Sequence, residues 1–417
     1  MKAMKKKLWL RTIVGAVAAT CLLGSAAAQE TLKIGVLANL EGPFAVPGQD
    51  GYRGADMALK EKNGMAGGKK IEFVKVSSDA TPDKAVAMTR KAVEQDKVQI
   101  MIGPLSGDEG IAVKNYAKTK PDITFINGSS GAQATTLVDP SPNFFRFNNE
   151  GAPWMVGLGE EALKRGYKKV ALISEDYSFP YSQVQGFMGQ YCKLGGKVVE
   201  KIWVPLGHKD FSTAIARIPS DIDALLVVLG GADAVNFLTQ YEQAGGSKPM
   251  IGGSITVSQD VLNFKGKRRE SLLGTLSAGP NADAYDAPEW KAFVASYKKN
   301  FPDGYPSPGL FAVNYYINMK AALDALDVVK GDLSGNQAKY REALTKLSLK
   351  GPTGTITLDH NRQAIGPNFI TEVAKAPDGT FYNKVVSRVE KVDQRLNLSQ
   401  AEFDKMGIGT RDNPACP

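Results

Sequence analysis

Residues 103–110 (GPLSGDEG) and 127–131 (NGSSG) each follow a short apolar run and precede a helical pattern, so each reads as a strand-to-helix turn. Such turns emerge at the carboxyl edge of a parallel sheet, where α/β proteins hold small anions. Glycine lets the backbone approach a ligand. Free N–H groups of the first helical turn and the hydroxyls of Ser106, Ser129 and Ser130 supply donors. Glycine and serine also fill ordinary βα turns, and serine caps helices of every kind. The two segments gain weight by occurring in successive βα units, whose loops share one sheet edge.

The same alternation extends to both sides. Strand patterns at Leu32–Ala38, Ile71–Ser77, Val98–Ile102 and Ile123–Ile126 are separated by helical patterns near 48–62, 82–96 and 107–119, a right-handed βαβ series. The series restarts with a helix at 152–165, then strands Val170–Ser174, Lys197–Val204, Ala224–Leu229 and Met250–Gly252, with helices at 181–194, 210–217 and 232–244 between them. The break falls at 140–150 (PSPNFFRFNNE), where turn residues flank a short aromatic strand. The fold class is therefore α/β, with two doubly wound sheets. Three helical patterns (287–300, 309–329, 335–347) then run without a strand, and β segments at Thr353–Leu358, Asn368–Ala374 and Tyr382–Val389 finish the chain. This order is accounted for if the chain crosses back to cover the first domain and returns to complete the second. Three crossings would make a hinge with a cleft between two lobes.

Residues 1–28 carry Lys2, Lys5, Lys6, Lys7 and Arg11, then an apolar stretch from Ile13 to Leu23, then Ala26-Ala27-Ala28. This pattern predicts a secretory signal peptide cleaved after Ala28, and thus a soluble periplasmic protein. Thr20 makes a poor lipidation site of Cys21. The segment holds five cations and no carboxylate, so its removal lowers the formal charge from +8 to +3. Nucleic acid is thereby not an expected partner. The basic run 265–269 (KGKRR) has no aromatic platform beside it and reads as a solvated loop.

Cys192 and Cys416 remain after cleavage. In an exported chain they can form one disulfide, with two free thiols as the alternative. His208 and His360 lack ligand spacing, so no metal is expected, and no cofactor. No GxSxG or GxxxxGK[ST] motif occurs and neither histidine sits in a nucleophile motif, which argues against an enzyme.

From Leu32 to about Pro367 the chain resembles the periplasmic solute-binding proteins of branched-chain amino-acid ABC importers, a type I two-lobe fold. The resemblance rests on IGVLANLEGPFAVPGQDGYRGADMAL, DATPDKAV, IMIGPLSG, INGSSGAQ, FFRF, VALISEDYSF, KDFSTAIARI, GTLSAGPN and LKGPTGTITLD, taken in this order and spacing. It implies that residues 29–148 plus 281–354 form one lobe and 149–280 plus 355–417 the other. It also implies closure over a small solute by a monomer, which then presents the solute to a membrane permease. A soluble sensor serving a membrane kinase would have the same chain.

Carried over position by position, the family's carboxylate-binding turns match Ser106-Gly107 and Gly128, Ser129 and Ser130. The family's ammonium-binding Glu aligns with Ser254, its first-lobe Tyr with Pro47, and two second-lobe Tyr positions with Phe179 and Ala232. A buried ammonium that loses its carboxylate typically costs about 2–5 kcal/mol. The resemblance thus implies a small organic acid without an α-amine, with benzoate- or phenylpropenoate-like acids preferred. Phe44, Tyr177, Phe179 and Tyr181 would supply ring surfaces, or else pack at loop bases. An acidic partner from Glu175, Asp233 or Asp260 would instead restore amino-acid binding. Arg53 and Arg146 could clamp a carboxylate, but Arg146, in FFRF at the crossover, suits ordering of the hinge better.

Overall fold

Apolar runs bounded by turn residues build two sheets. The computed structural model describes residues 30–263, 267–413 and 416, so the expected signal peptide and the first two residues of the 265–269 run lie outside the described residues. The first sheet holds Thr31–Asn39 (β1), Met65–Ala66 (β2), Lys69–Ser78 (β3), Ile100–Ile102 (β4), Thr124–Ile126 (β5) and Phe144–Phe145 (β6). Its order is β2-β3-β1-β4-β5-β6, parallel except for the β2–β3 hairpin.

The second sheet holds Lys169–Glu175 (β7), Lys197–Val204 (β8), Ala224–Val228 (β9), Met250–Gly252 (β10), Leu276–Gly279 (β11), Leu349–Gly351 (β12), Gly354–Leu358 (β13), Ala364–Lys375 (β14) and Phe381–Val392 (β15). Its order is β12-β13-β14-β11-β10-β9-β7-β8, with β15 on β14. Strands β7 to β11 pair in parallel, whereas β11–β14 and β14–β15 are antiparallel.

In each sheet one strand has its chain neighbours on opposite sides: β1 lies between β3 and β4, and β7 between β8 and β9. Loops leaving such a strand and its neighbour diverge and open a crevice. Residues 40–44 and 103–106 border the first crevice, and residues 176–178 and 229–231 the second. These crevices face each other.

The helix Leu310–Val328 is buried on nearly every side, as an apolar helix must be. It packs on the helix Ala45–Glu61 through Gly54, where a Cβ would come within 1.9 Å of the Ala312 carbonyl. The single helix expected at 152–165 is instead two, Gly151–Trp154 and Leu158–Lys164. Gly157 stands between them with φ +93°, a conformation that ends a helix, and its N–H donates to Gln190 Oε1 at 3.0 Å. Strand β11 was not expected, since TLSAG lacks a strand-like apolar run.

Arg146 is fully buried in the segment that crosses between the sheets. Its guanidinium donates to the carbonyls of Ala132 (2.8 Å) and Ser130 (3.3 Å), to the Thr136 hydroxyl (2.7 Å) and to Gln363 Oε1. It orders the hinge, as the FFRF reading expects. Cys192 and Cys416 are joined, with Cα atoms 5.5 Å apart, which ties the end of the chain to the helix Ser178–Tyr191. Because this bond closes a long loop, Cys192→Ser should lower unfolding free energy by about 2–4 kcal/mol in denaturant titration, and an unchanged midpoint would contradict its structural role.

Glu150, close to Arg146, is also fully buried, and desolvation pushes its carboxyl from 4.5 to about 8. The folded chain then holds this proton more tightly than the unfolded chain. Its contribution to stability is present below about pH 4.5 and is lost as pH rises through about 8. Melting temperatures measured across that window should fall less steeply for Glu150→Gln than for the parent chain; equal slopes would refute the assignment.

Candidate ligand site

The two crevices meet in a small cavity between the sheets. From the first sheet's loops come Phe44, Leu105, Ser106, Gly107 and Ser129. Opposite stand Trp154, Tyr177, Phe179 and Ile255, and Leu310 and Phe311 close one side. No charged side chain lines it.

Rings form most of the wall. The Phe44 and Tyr177 centroids lie 6.4 Å apart, Tyr177 and Phe179 also 6.4 Å, and Trp154 stands edge-on to Phe179 at 5.9 Å. Such rings bury a large apolar area while holding fixed positions. Trp154 is completely buried, and its indole N–H, which can only donate, has no partner within the protein. An orphaned buried donor costs about 1–3 kcal/mol.

The Ser129 hydroxyl accepts from Asn314 Nδ2 at 2.9 Å and so keeps its own proton to donate. Its backbone N–H is already spent on the Pro104 carbonyl at 3.0 Å. The Ser106 N–H donates to Glu109 Oε2 at 3.0 Å, and its hydroxyl reaches the Ala80 carbonyl at 3.3 Å. Glu109 is a pillar of the turn: Asn39 Nδ2 (3.0 Å) and Ser78 Oγ (2.5 Å) also donate to it, and burial pushes its carboxyl up.

Of the residues singled out from sequence, the structure brings Phe44, Ser106, Gly107, Ser129, Tyr177 and Phe179 to one cavity. Gly128 packs on Tyr315 and Ser130 faces Gly110, so neither side lines it. Ala232 is exposed on the first turn of the helix Gly231–Gln243. Ser254 lines an adjoining cavity, where its N–H and hydroxyl pair with Gln183 at 3.1 and 2.7 Å. Tyr181 leaves the site, bonding Asp176 and packing on Trp203. Leu105, Trp154, Ile255, Leu310 and Phe311 were missed. The only signal for Trp154 was an aromatic residue just after the crossover.

None of the three acidic alternatives lines the ligand cavity. Glu175 accepts from the Gly230 N–H at 2.9 Å, and burial beside Asp233 pushes its carboxyl well up. Asp233 caps the backbone N–H groups of Gly207 (2.7 Å) and His208 (3.3 Å), and burial raises it to about 6. Asp260 accepts from the Ser258 hydroxyl and is likewise raised to about 6 by burial. Arg53 is bound to Asp50 and Tyr297, outside the cavity. Among the described residues no cluster of His, Cys, Asp and Glu could hold a metal, and no helix is long and apolar enough to cross a membrane.

Contact across the cleft depends on glycine. A Cβ at Gly107 would stand 2.9 Å from both the N and Cβ of Phe179, and one at Gly131 would stand 2.6 Å from the Phe179 ring. Asp108 Oδ1 accepts the Ser178 N–H across the same gap at 3.2 Å. Gly107→Ala should therefore push the lobes apart and weaken solute binding at least about tenfold in calorimetry; unchanged affinity would show that this approach is not needed.

The sequence profile of the periplasmic binding protein family matches residues 31–379. The Leu/Ile/Val-binding protein homolog 6 of Brucella melitensis is 28% identical over 385 residues, covering 90% of this chain and 96% of that protein. An ABC transporter substrate-binding protein from Sphaerobacter thermophilus superposes with TM-score 0.78 at 27% identity, covering 87% of this chain and 99% of the other. A solute-binding protein of an ABC transporter from Rhodopseudomonas palustris BisB5, crystallised with 3,4-dihydroxybenzoic acid, superposes with TM-score 0.80 at 27% identity, covering 87% and 98%. With two doubly wound sheets, an interlobe cavity and a profile match over most of its length, the chain belongs to the periplasmic binding protein family.

Proposed function

We propose that this chain is the extracytoplasmic solute-binding component of an ABC importer and that its solute is a small aromatic carboxylate. The observation that carries this reading is the ring-walled cavity, whose lining includes Trp154 with its buried, unpartnered indole N–H and includes no carboxylate. Ser129 and Trp154 donate to the solute's carboxylate. Ser106 and Gly107 bring the start of the helix Gly107–Ala117 to it, and Phe44, Tyr177 and Phe179 hold the ring. Gly128 and Ser130 shape the turn from behind. Ala232 and Ser254 stand outside this cavity and bring no charge to it.

The related Rhodopseudomonas protein bound to a dihydroxybenzoic acid supports this reading. The name of the Brucella relative supports branched-chain amino acids as the second reading. In either case residues 29–148 plus 281–354 act as one lobe and 149–280 plus 355–417 as the other. Cleavage after Ala28 releases a monomer into the periplasm, and a membrane permease receives the solute.

The test is thermal denaturation of residues 29–417, refolded to remove carried-over solute, with benzoate or leucine added. A native-state ligand at a hundredfold its dissociation constant stabilises by about 2.7 kcal/mol. Benzoate should raise the melting temperature and leucine should not. Trp154→Phe, which keeps a ring but removes the donor, should weaken benzoate about tenfold. Stabilisation by leucine alone would replace this reading with the second.

A further inference from the structure

After the helix Gln400–Met406, residues 407–413 run along the helix Ser178–Tyr191, whose first turn carries Phe179 into the ligand cavity. Gln185 Nε2 donates to the Gly407 carbonyl, and Arg411 Nη1 pairs with Asp176 Oδ2 at 2.9 Å. Gly409 passes so close to the helix that a Cβ there would stand 2.4 Å from the Tyr181 carbonyl oxygen. Asn413 Nδ2 folds the segment back on itself through the Met406 and Ile408 carbonyls, both at 2.8 Å. Beyond it, Cys416 is bonded to Cys192 at the other end of the same helix.

This segment follows the second sheet, yet one of its bonds reaches the first lobe. The Gly409 N–H donates to Gln133 Oε1 at 2.7 Å, and Gln133 lies between β5 and β6 of the first sheet. Gln133 is only 1% exposed, and its own N–H donates to Ser182 Oγ of the second-lobe helix at 3.1 Å. The preceding carbonyl, of Ala132, is held by Arg146, and Ser129 of the same turn lines the ligand cavity. Backbone and side chain of Gln133 are thus both held from the opposite lobe.

We propose that residues 407–413 are a strap anchored by the Cys192–Cys416 bond, and that Gln133 is a positioning residue through which the strap holds the solute turn against the second lobe. The consequence for solute release rests on the solute-binding reading above. The disulfide keeps Gly409 over the helix, Gly409 holds the Gln133 side chain, and Gln133 steadies the turn that presents Ser129. A dithiol undoes the anchor: the S–S bond breaks, two electrons and two protons pass to the cysteine sulfurs, and the dithiol becomes a disulfide. What then holds the strap to the helix is the Gln185 bond and the Arg411–Asp176 pair, whose arginine is 57% exposed and which contributes little.

The test is hydrogen exchange of solute-free residues 29–417, oxidised and after reduction with dithiothreitol, at a temperature where circular dichroism shows both forms folded. Exchange in residues 127–137 should quicken about fivefold on reduction, as for one lost hydrogen bond. Gln133→Met, with the disulfide intact, should already show the faster exchange, and reduction should add nothing further. Loosening confined to the strap and its helix, or a Gln133→Met chain that responds to reduction as the parent does, would overturn the proposal. The first comparison needs no substitution, so it decides even if the variant folds poorly. Benzoate should also leave the reduced chain about fivefold faster. Equal release rates would overturn the strap's role in holding solute, whereas failure of the oxidised chain to bind benzoate would overturn the aromatic-acid reading alone, because exchange is read without solute.

Discussion

Arg146 is the interaction on which hinge and site both depend. A guanidinium without solvent is stable only if acceptors surround it, and this one is placed among two carbonyls of the 127–132 segment, a threonine hydroxyl and the amide of Gln363. Burial draws its pKa down to about 10, against the opposing pull of Glu150 and Asp359. The contacts also serve geometry. The Ser130 and Ala132 carbonyls belong to the turn that presents Ser129 to the cavity, and Gln363 lies at the start of the return crossing, so one charge ties the solute turn to two chain crossings. A lysine could not reproduce that fork.

Around this hub the two sheets present matching crevices, and the cleft between them is polarised. Its first-lobe side presents a helix start and hydroxyls, and the opposite side presents an indole N–H. Rings fill the middle. Neutral donors suffice for a small carboxylate where a helix begins and water is excluded, because a local dipole acts strongly in a low dielectric. The absence of lysine or arginine from the cavity wall fits such a solute, which must be released as well as bound.

Much of this was legible in the sequence because parallel strands buried on both faces are near-continuous apolar runs, and the turns after them carry glycine and serine. The two turns at 103–110 and 127–131 were placed on one edge by that logic alone. What sequence could not convey was which way each side chain faces. Gly128 and Ser130 look like Ser129, yet Tyr315 and Gly110 occupy their surroundings, and Tyr315 lies in a helix far along the chain. Ser254 aligned with a charged position, but its pairing with Gln183 depends on a helix in a different βα unit. Trp154 carried no motif because its place in the cavity wall arises only when the lobes meet.

Solution scattering of residues 29–417 during addition of benzoate tests the central claim most directly, since it reads binding and lobe closure together. The account predicts that the radius of gyration of the solute-free chain falls as benzoate is added and reaches the value calculated from this structure, with leucine leaving it unchanged. A radius that stays constant with benzoate, or contracts only with leucine, would contradict it.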